Sequence, residues 1–438
     1  MKILNVAISA VALFVATATT VTTSAWSSVT LPSRPLFITA QGNTMWVCGA
    51  DEMIASSSDG GKTWTAAHSA TSGLLLSMGF ATEQVGYAAG TGNKILVTKD
   101  GGKTWSSVPA PSSVIYELSF ADEANGIAHG KNAVYTTADG GKTWAPVKID
   151  LGDDDYKRMS WVSTVVALDA KRMVIVMSDG NSSANHQVLY LTQDGGATWK
   201  VNDIAHVGIG TFYRHDGEYW ITGDEVIEWQ KPGGGYGVSL AMHSADGVSW
   251  TSLDRWEKKE FSECNDQGCL YWDGTGIAVP PSNPPTFWTF AAEKIVTSKW
   301  AVTQGGICSV STDLKCTSVT DSPKMPSYVA SSAPIASRIF APPLNAPVTS
   351  GIQCISCDTE RIVVTQDYQG LAEVDLKLLI GTNGLVQKVE ITKATNAGIG
   401  DRVAASARNW IFVPYEQDGV LHPASMSVKL QVQAIKSR

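Results

Sequence analysis

Ser57-Ser58-Asp59-Gly60-Gly61-Lys62-Thr63-Trp64 is the stretch on which the reading of this chain turns. The same phrase, Ser/Thr-x-Asp-x-Gly-x-Thr-Trp, returns at Thr98–Trp105, Thr137–Trp144 and Thr192–Trp199. A copy one residue shorter is Ser244-Ala245-Asp246-Gly247-Val248-Ser249-Trp250. The repeated aspartates, Asp59, Asp100, Asp139, Asp194 and Asp246, lie 41, 39, 55 and 52 residues apart. That period is the size of one four-stranded blade, so the repeat predicts an all-β propeller. The chemistry of the phrase agrees. An Asp side chain accepts hydrogen bonds from backbone N–H groups a few residues on, and Gly61, Gly102, Gly141 and Gly196 supply a positive φ at no steric cost. The closing Trp64, Trp105, Trp144, Trp199 and Trp250 each carry a large apolar area to bury between blades. Alternating runs such as Ile95–Thr98 and Val134–Thr137 lead into the turns, giving strand, turn, strand.

The phrase resembles the Asp-box, or bacterial neuraminidase repeat. Sialidases, several glycosidases, sortilin-type receptors and the photosystem II assembly factor of cyanobacteria and plants carry it. The resemblance implies that the box is a fold staple on the outer hairpin of a blade, away from the binding surface, so the box aspartates read as structural.

The chain has 438 residues and 44% hydrophobic content, enough core material for two or three domains. A net charge of -8 without a basic block argues against nucleic acid as a partner. The N-terminus reads as a secretory signal: Lys2, an apolar run from Ile3 to about Val21, then a small-residue cleavage site at Thr23-Ser24-Ala25. We therefore expect residues 1–25 to be removed and the chain to be exported, to the periplasm of a Gram-negative envelope. An uncleaved segment would anchor it in a membrane. Seven cysteines in an exported chain suggest disulfides, and six fall in near-neighbour pairs: Cys264 with Cys269, Cys308 with Cys316, and Cys354 with Cys357. Cys48 is then the seventh, a buried thiol. The Cys354-Ile355-Ser356-Cys357 motif lacks the strand-before, helix-after setting of a thioredoxin-like centre and reads as a local structural bridge.

Five blades are expected at about 36–66, 74–107, 115–147, 159–201 and 209–252. Residues 256–290 and 300–319 supply two more, for a ring of seven, with six as the alternative, within a propeller region of 26–319. From Thr317 onward Ser, Pro and Ala dominate, and 320–356 reads as a linker. A small α+β domain, 357–438, follows. Val374–Ile380 and Val386–Thr392 alternate about an Asn383-Gly384 turn, Asp401 is placed to cap a helix running to about Trp410, Asp418-Gly419 makes another turn, and Ser427–Gln433 is a last strand.

This second region resembles the C-terminal domain of TonB energy transducers. The likeness rests on Gly384, Val386, Val389, Ile391, Ala407, Trp410, Phe412, Pro414, Asp418, Gly419 and Val428, the pattern of a glycine hairpin, a helix, Trp-x-Phe-x-Pro, Asp-Gly and a strand. It covers about 357–435. It implies docking of an extended peptide, as an added strand, from an outer-membrane receptor. The chain departs from the transducers in placing a propeller where they have a long spacer, so peptide docking fits better than energy transduction.

No catalytic residue, metal set or cofactor motif emerges. Sialidase chemistry needs three arginines around a substrate carboxylate, a Tyr–Glu pair and an acid/base Asp; the propeller region has only Arg34, Arg158, Arg172, Arg214 and Arg255. The acidic run Asp153–Asp155 reads as a solvated loop, and Tyr213–Trp220 as a hairpin about Asp216-Gly217. The sequence therefore points to a non-catalytic scaffold: a propeller as protein-binding platform, with a docking module and a protein or peptide partner in the cell envelope. The alternatives are a sialidase-like or other glycan-binding or glycan-cleaving propeller and a TonB-type transducer.

Overall fold

The computed structural model describes residues 31–41, 44–59, 63–131, 133–150, 161–178, 187–202, 207–215, 218–227, 236–252, 271–272, 277–278, 300–303, 306–310, 316–318, 352–357, 362–365 and 368–436. Five antiparallel sheets of four strands each follow one another along the chain, every one with its strands in sequence order. Blade 1 is Pro35–Gln41, Thr44–Gly49, Ile54–Ser57 and Thr65–His68; blade 2 is Leu75–Phe80, Gly86–Gly90, Lys94–Thr98 and Ser106–Pro109. Blade 3 runs from Ile115 to Pro146, blade 4 from Trp161 to Asn202 and blade 5 from Val207 to Ser252. A two-stranded sheet, Tyr271–Trp272 with Ile277–Ala278, and a three-stranded sheet, Trp300–Ser318, come next. The first strands of blades 1 to 4 pack side by side, and Trp300–Thr303 lies against Pro35–Gln41, so the last sheet returns to the first. Among the described residues the first strand of each of blades 1 to 3 therefore has another sheet's first strand on either side, which covers its edge. The architecture is a β-propeller, and the chain is mostly β, with one helix among the described residues.

Alternation explains the layering. The middle strands of a blade are buried on both faces, as in Gly86–Gly90 and Met173–Ser178, while the fourth strands Thr65–His68 and Ser106–Pro109 are mostly exposed. Aromatic rings fill the gaps between blades. Trp46 of blade 1 meets Phe80 and Trp105 of blade 2 at 5.1 and 6.4 Å. Tyr87 of blade 2 stacks on Phe120 of blade 3 at 3.6 Å, and Trp144 approaches that ring edge-on at 6.0 Å. The repeat tryptophans thus seal the blades with ring contacts beyond simple area burial.

The C-terminal module is a four-stranded sheet in the order Ile362–Thr365, Ala424–Lys436, Gly370–Ile380, Val386–Ala394, with the helix Ala397–Ala407 on one face. Its core joins Val374, Leu376, Leu378 and Ile380 to Ile399, Val403, Ala407, Trp410 and Phe412. The helix starts earlier than the sequence suggested. Asn396, in extended backbone, accepts a bond from Ile399 N at 3.2 Å and is the N-cap, while Asp401 lies inside the helix. Asn is as good a cap as Asp, so the competing polar residue five positions earlier won. The turn at Asn383-Gly384 is the three-residue kind, closed by Gly381 N to Leu385 O, with only Gly384 at positive φ. Asp418 and Gly419 both take positive φ, as a two-residue type I′ hairpin requires.

Candidate functional site

Each repeat ties itself into a knot. Around Asp100, the Thr104 hydroxyl donates to one carboxylate oxygen at 2.6 Å, and Thr104 N and the Thr98 hydroxyl donate to the other at 2.9 and 2.8 Å. Thr98 Oγ1 in turn accepts from Gly102 N at 2.8 Å, and Trp105 Nε1 donates to Gly102 O at 3.1 Å. Asp139 and Asp194 repeat the pattern with Thr143 and Thr198. In the shortened copy Asp246 accepts from Ser249 N, Val248 N and the Ser244 hydroxyl. These donors pull the carboxyls of Asp100, Asp139, Asp194 and Asp246 down to about 2, led by the threonine hydroxyl in the first three and by Ser249 N–H in the last. Asp59 holds Thr63 through both oxygens, at 3.0 and 2.6 Å. The bonds these acids accept all come from their own turns, an arrangement suited to holding a hairpin. Gly102, Gly141 and Gly196 all take positive φ, and a Cβ at Gly102 would enter the Trp46 ring.

The feature the sequence reading missed is a seam between propeller and C-terminal module. In Trp410-Ile411-Phe412-Val413-Pro414, Trp410 and Phe412 enter the module core, 3% and 2% exposed. Ile411 and Val413, on the other face, join Ala50, Leu74, Leu76, Val114 and Tyr116 of blades 1 to 3. Apolar residues at five successive positions were the available signal, because a strand buried on both faces reads as a continuous run. Polar bonds flank the cluster. Asn383 Nδ2 donates to Asp51 Oδ1 at 3.1 Å, Gly73 N to Thr382 O at 3.1 Å, and Arg34 Nη1 to Asn409 O at 3.2 Å. Asp51 also accepts from the Ser33 hydroxyl at 2.6 Å. Asp51 and Glu52 both adopt positive φ, backbone that non-glycine residues rarely take. Glu52 is 5% exposed and pairs with Lys94 at 2.8 Å, with His68 at 3.8 Å. Burial pushes its carboxyl up, but the bonds and charges of His68 and Lys94 outweigh that and leave it below its ordinary value.

The other sequence-predicted positions divide as follows. Cys354 and Cys357 are bonded to each other, beside the seam. Cys48 is fully buried in blade 1. Cys308 and Cys316 sit on paired strands, but their side chains, like Cys264, Cys269, Gly61, the acidic run at 153–155, the turn at 216–217, the N-terminal 1–25 segment and the linker up to residue 351, lie outside the described residues. Among the described residues no group of three or more His, Cys, Asp or Glu is arranged for a metal, and no helix is long and apolar enough to cross a membrane. Pro414 is buried, Gly384 approaches the Phe412 carbonyl, and Ile391 is exposed.

Residues 7–207, just under half of the chain, match the family model described as the DUF6242 beta propeller domain. No curated protein matches the sequence. Among solved structures, YCF48 bound to a D1 peptide is similar at 16% identity over 52% of this chain and 85% of that one, with a TM-score of 0.32. YCF48 from Cyanidioschyzon merolae is similar at 16% identity over 44% and 67%, TM-score 0.33. A GH74 xyloglucanase from Xanthomonas campestris is similar at 15% identity over 51% and 38%, TM-score 0.32. The repeat period, the succession of four-stranded sheets and the family match agree on one fold, the β-propeller.

Proposed function

We propose that this chain is an exported, non-catalytic binding scaffold. The propeller serves as its protein-binding platform, and the C-terminal module docks an extended peptide, such as a segment of an outer-membrane receptor. The observation that carries this reading is a sheet edge. The last strand, Ala424–Lys436, is 13 residues long, and on its outer side only Gln433–Lys436 are paired, in parallel, with Ile362–Thr365. Along Ala424–Val432 that side has no strand partner among the described residues, and Met426, Val428 and Leu430 on the core face are only partly covered. Unpaired N–H and C=O groups beside half-covered apolar side chains are what strand addition uses. The order of hairpin, helix, Trp-x-Phe-x-Pro, Asp-Gly hairpin and strand supports the TonB-like reading of this module.

A photo-crosslinking residue placed at Ser427 of the full chain tests the proposal in cells of the source organism, with one at Glu83 on blade 2 as reference. Envelope protein adducts at Ser427 that are absent at Glu83 are expected. Equal adducts at both positions, or none at Ser427, would refute edge docking.

A further inference from the structure

The short strand Cys354–Ser356 belongs to two bodies at once. It pairs with Ile411–Phe412, and on one side Ile352, Cys354 and Cys357 pack against the module core. On the other side Ile355, fully buried, enters the propeller cluster of Leu74, Leu76, Val114 and Tyr116, and the Gln353 amide donates to the Tyr116 hydroxyl. Val413 N donates to Gln353 O at 2.8 Å. The pairing is irregular: Cys354 faces Phe412 and Ser356 faces Ile411, so one extra residue is accommodated as a bulge. That bulge matters for parity. In a regular strand residues three apart point to opposite faces, and the extra residue is what returns Cys357 to the face of Cys354. The disulfide brackets the bulge, with Cα atoms 6.0 Å apart, and both cysteines are half-buried, within reach of a small reductant.

We propose that the Cys354–Cys357 disulfide is a redox-sensitive latch that holds the C-terminal module against the propeller. A thiolate of a dithiol reductant attacks one sulfur, breaking the S–S bond and forming a mixed disulfide. The second reductant thiol then displaces it, leaving Cys354 and Cys357 as two thiols and the reductant as its own disulfide, for a transfer of two electrons and two protons. Once the bond is open, nothing covalent maintains the bulge. The strand can slip by one residue, which turns Cys357 toward the propeller cluster and spoils the fit of this face. The module core, built on the helix and the four-stranded sheet, survives the change. The latch stands independently of which partner the chain binds.

Amide hydrogen exchange on the full chain, oxidised and after treatment with dithiothreitol, tests this, with alkylation and mass measurement confirming that Cys354 and Cys357 are reduced. Exchange at 353–356, 411–413, 74–76 and 114–116 is expected to quicken at least tenfold on reduction, while 173–178 of blade 4 and 374–380 of the module stay protected. Reoxidation should restore the slow rates. A Cys354→Ser/Cys357→Ser variant should show the fast seam without reductant and no further change at the seam with it, which separates the effect from other cysteines. Unchanged seam exchange in the reduced protein overturns the proposal. Loss of protection throughout the chain also overturns it, because the bond would then be a staple of the whole fold.

Discussion

Gly384→Ala should loosen the seam from the module side by an amount the geometry sets. Gly384 has φ +71°, a conformation that costs an L-residue about 1–2 kcal/mol. An added Cβ would also overlap the Phe412 carbonyl oxygen and lie 2.9 Å from Leu74 Cδ1 of blade 2. The carbonyl is backbone, and Phe412 N is itself bonded to Gly384 O at 2.9 Å, so neither partner can move without breaking the pair. Relief of such overpacking costs about 1–3 kcal/mol. The sum, about 2–5 kcal/mol, corresponds to roughly thirtyfold to several-thousandfold faster exchange of the amides of Leu385 and Phe412, at 1.4 kcal/mol per tenfold. Gly419→Ala is the control. Its φ is +76°, but a Cβ there meets nothing within 4 Å, so only the backbone cost of about 1–2 kcal/mol applies. Hydrogen exchange on both variants measures the difference. If Gly384→Ala loosens Leu385 and Phe412 no more than Gly419→Ala loosens its own hairpin, the close approach at the seam is not there.

His129 is 2% exposed, its Nε2 has no hydrogen-bond partner among the described residues, and burial pushes its pKa down to about 3. Its folded value lies below the unfolded one, so its contribution is complete above about pH 6.5 and declines by about 1.4 kcal/mol per pH unit as pH falls towards 3. Denaturant midpoints at pH 7, 6 and 5 should show that slope, and His129→Leu should flatten it; an unflattened slope would assign it to other groups. Thr104→Val removes the leading cause of the low Asp100 pKa, so the NMR titration of that carboxyl should move up from about 2 towards the ordinary range; a midpoint that stays put would refute the knot's chemistry. A double-mutant cycle of Tyr87→Leu with Phe120→Leu should report a coupling of about 0.5–1.5 kcal/mol for the stacked pair joining blades 2 and 3, and additive effects would mean the rings act only as bulk.

The propeller was legible because its signal is local and repeated: five copies of one turn each announce a blade. The outer limits of blades 1 to 5 lie close to the expected ones for the same reason. The helix start was misplaced because both Asn396 and Asp401 are competent caps, and nothing within the helix chooses between them except packing of Ile399 and Val403. The seam was illegible for a different reason. Ile355, Ile411 and Val413 gain their meaning from Leu74 and Tyr116, some 240 to 340 residues earlier in the chain, and no local period encodes such a meeting. Residues assigned to a linker and to a docking motif turned out to share one strand pair between two bodies.

The repeat's knot has a consequence for how such a chain can change. Its carboxylate bonds close within eight residues, and one more bond ties it to the loop joining the first two strands of the blade: Gly101 N to Gln84 O, Gly140 N to Ala124 O and Gly195 N to Lys171 O, each at 2.9 Å. That loop is 81–85, 121–125 and 168–172 in blades 2, 3 and 4, the same length each time, so the extra residues that set successive aspartates 39 apart in one interval and 55 in another lie elsewhere in the chain. A blade built this way is an exchangeable cassette: a foreign loop placed at a connection other than that one leaves both the phrase and its tie to the first loop in place. New recognition surfaces can be tried on this ring one connection at a time.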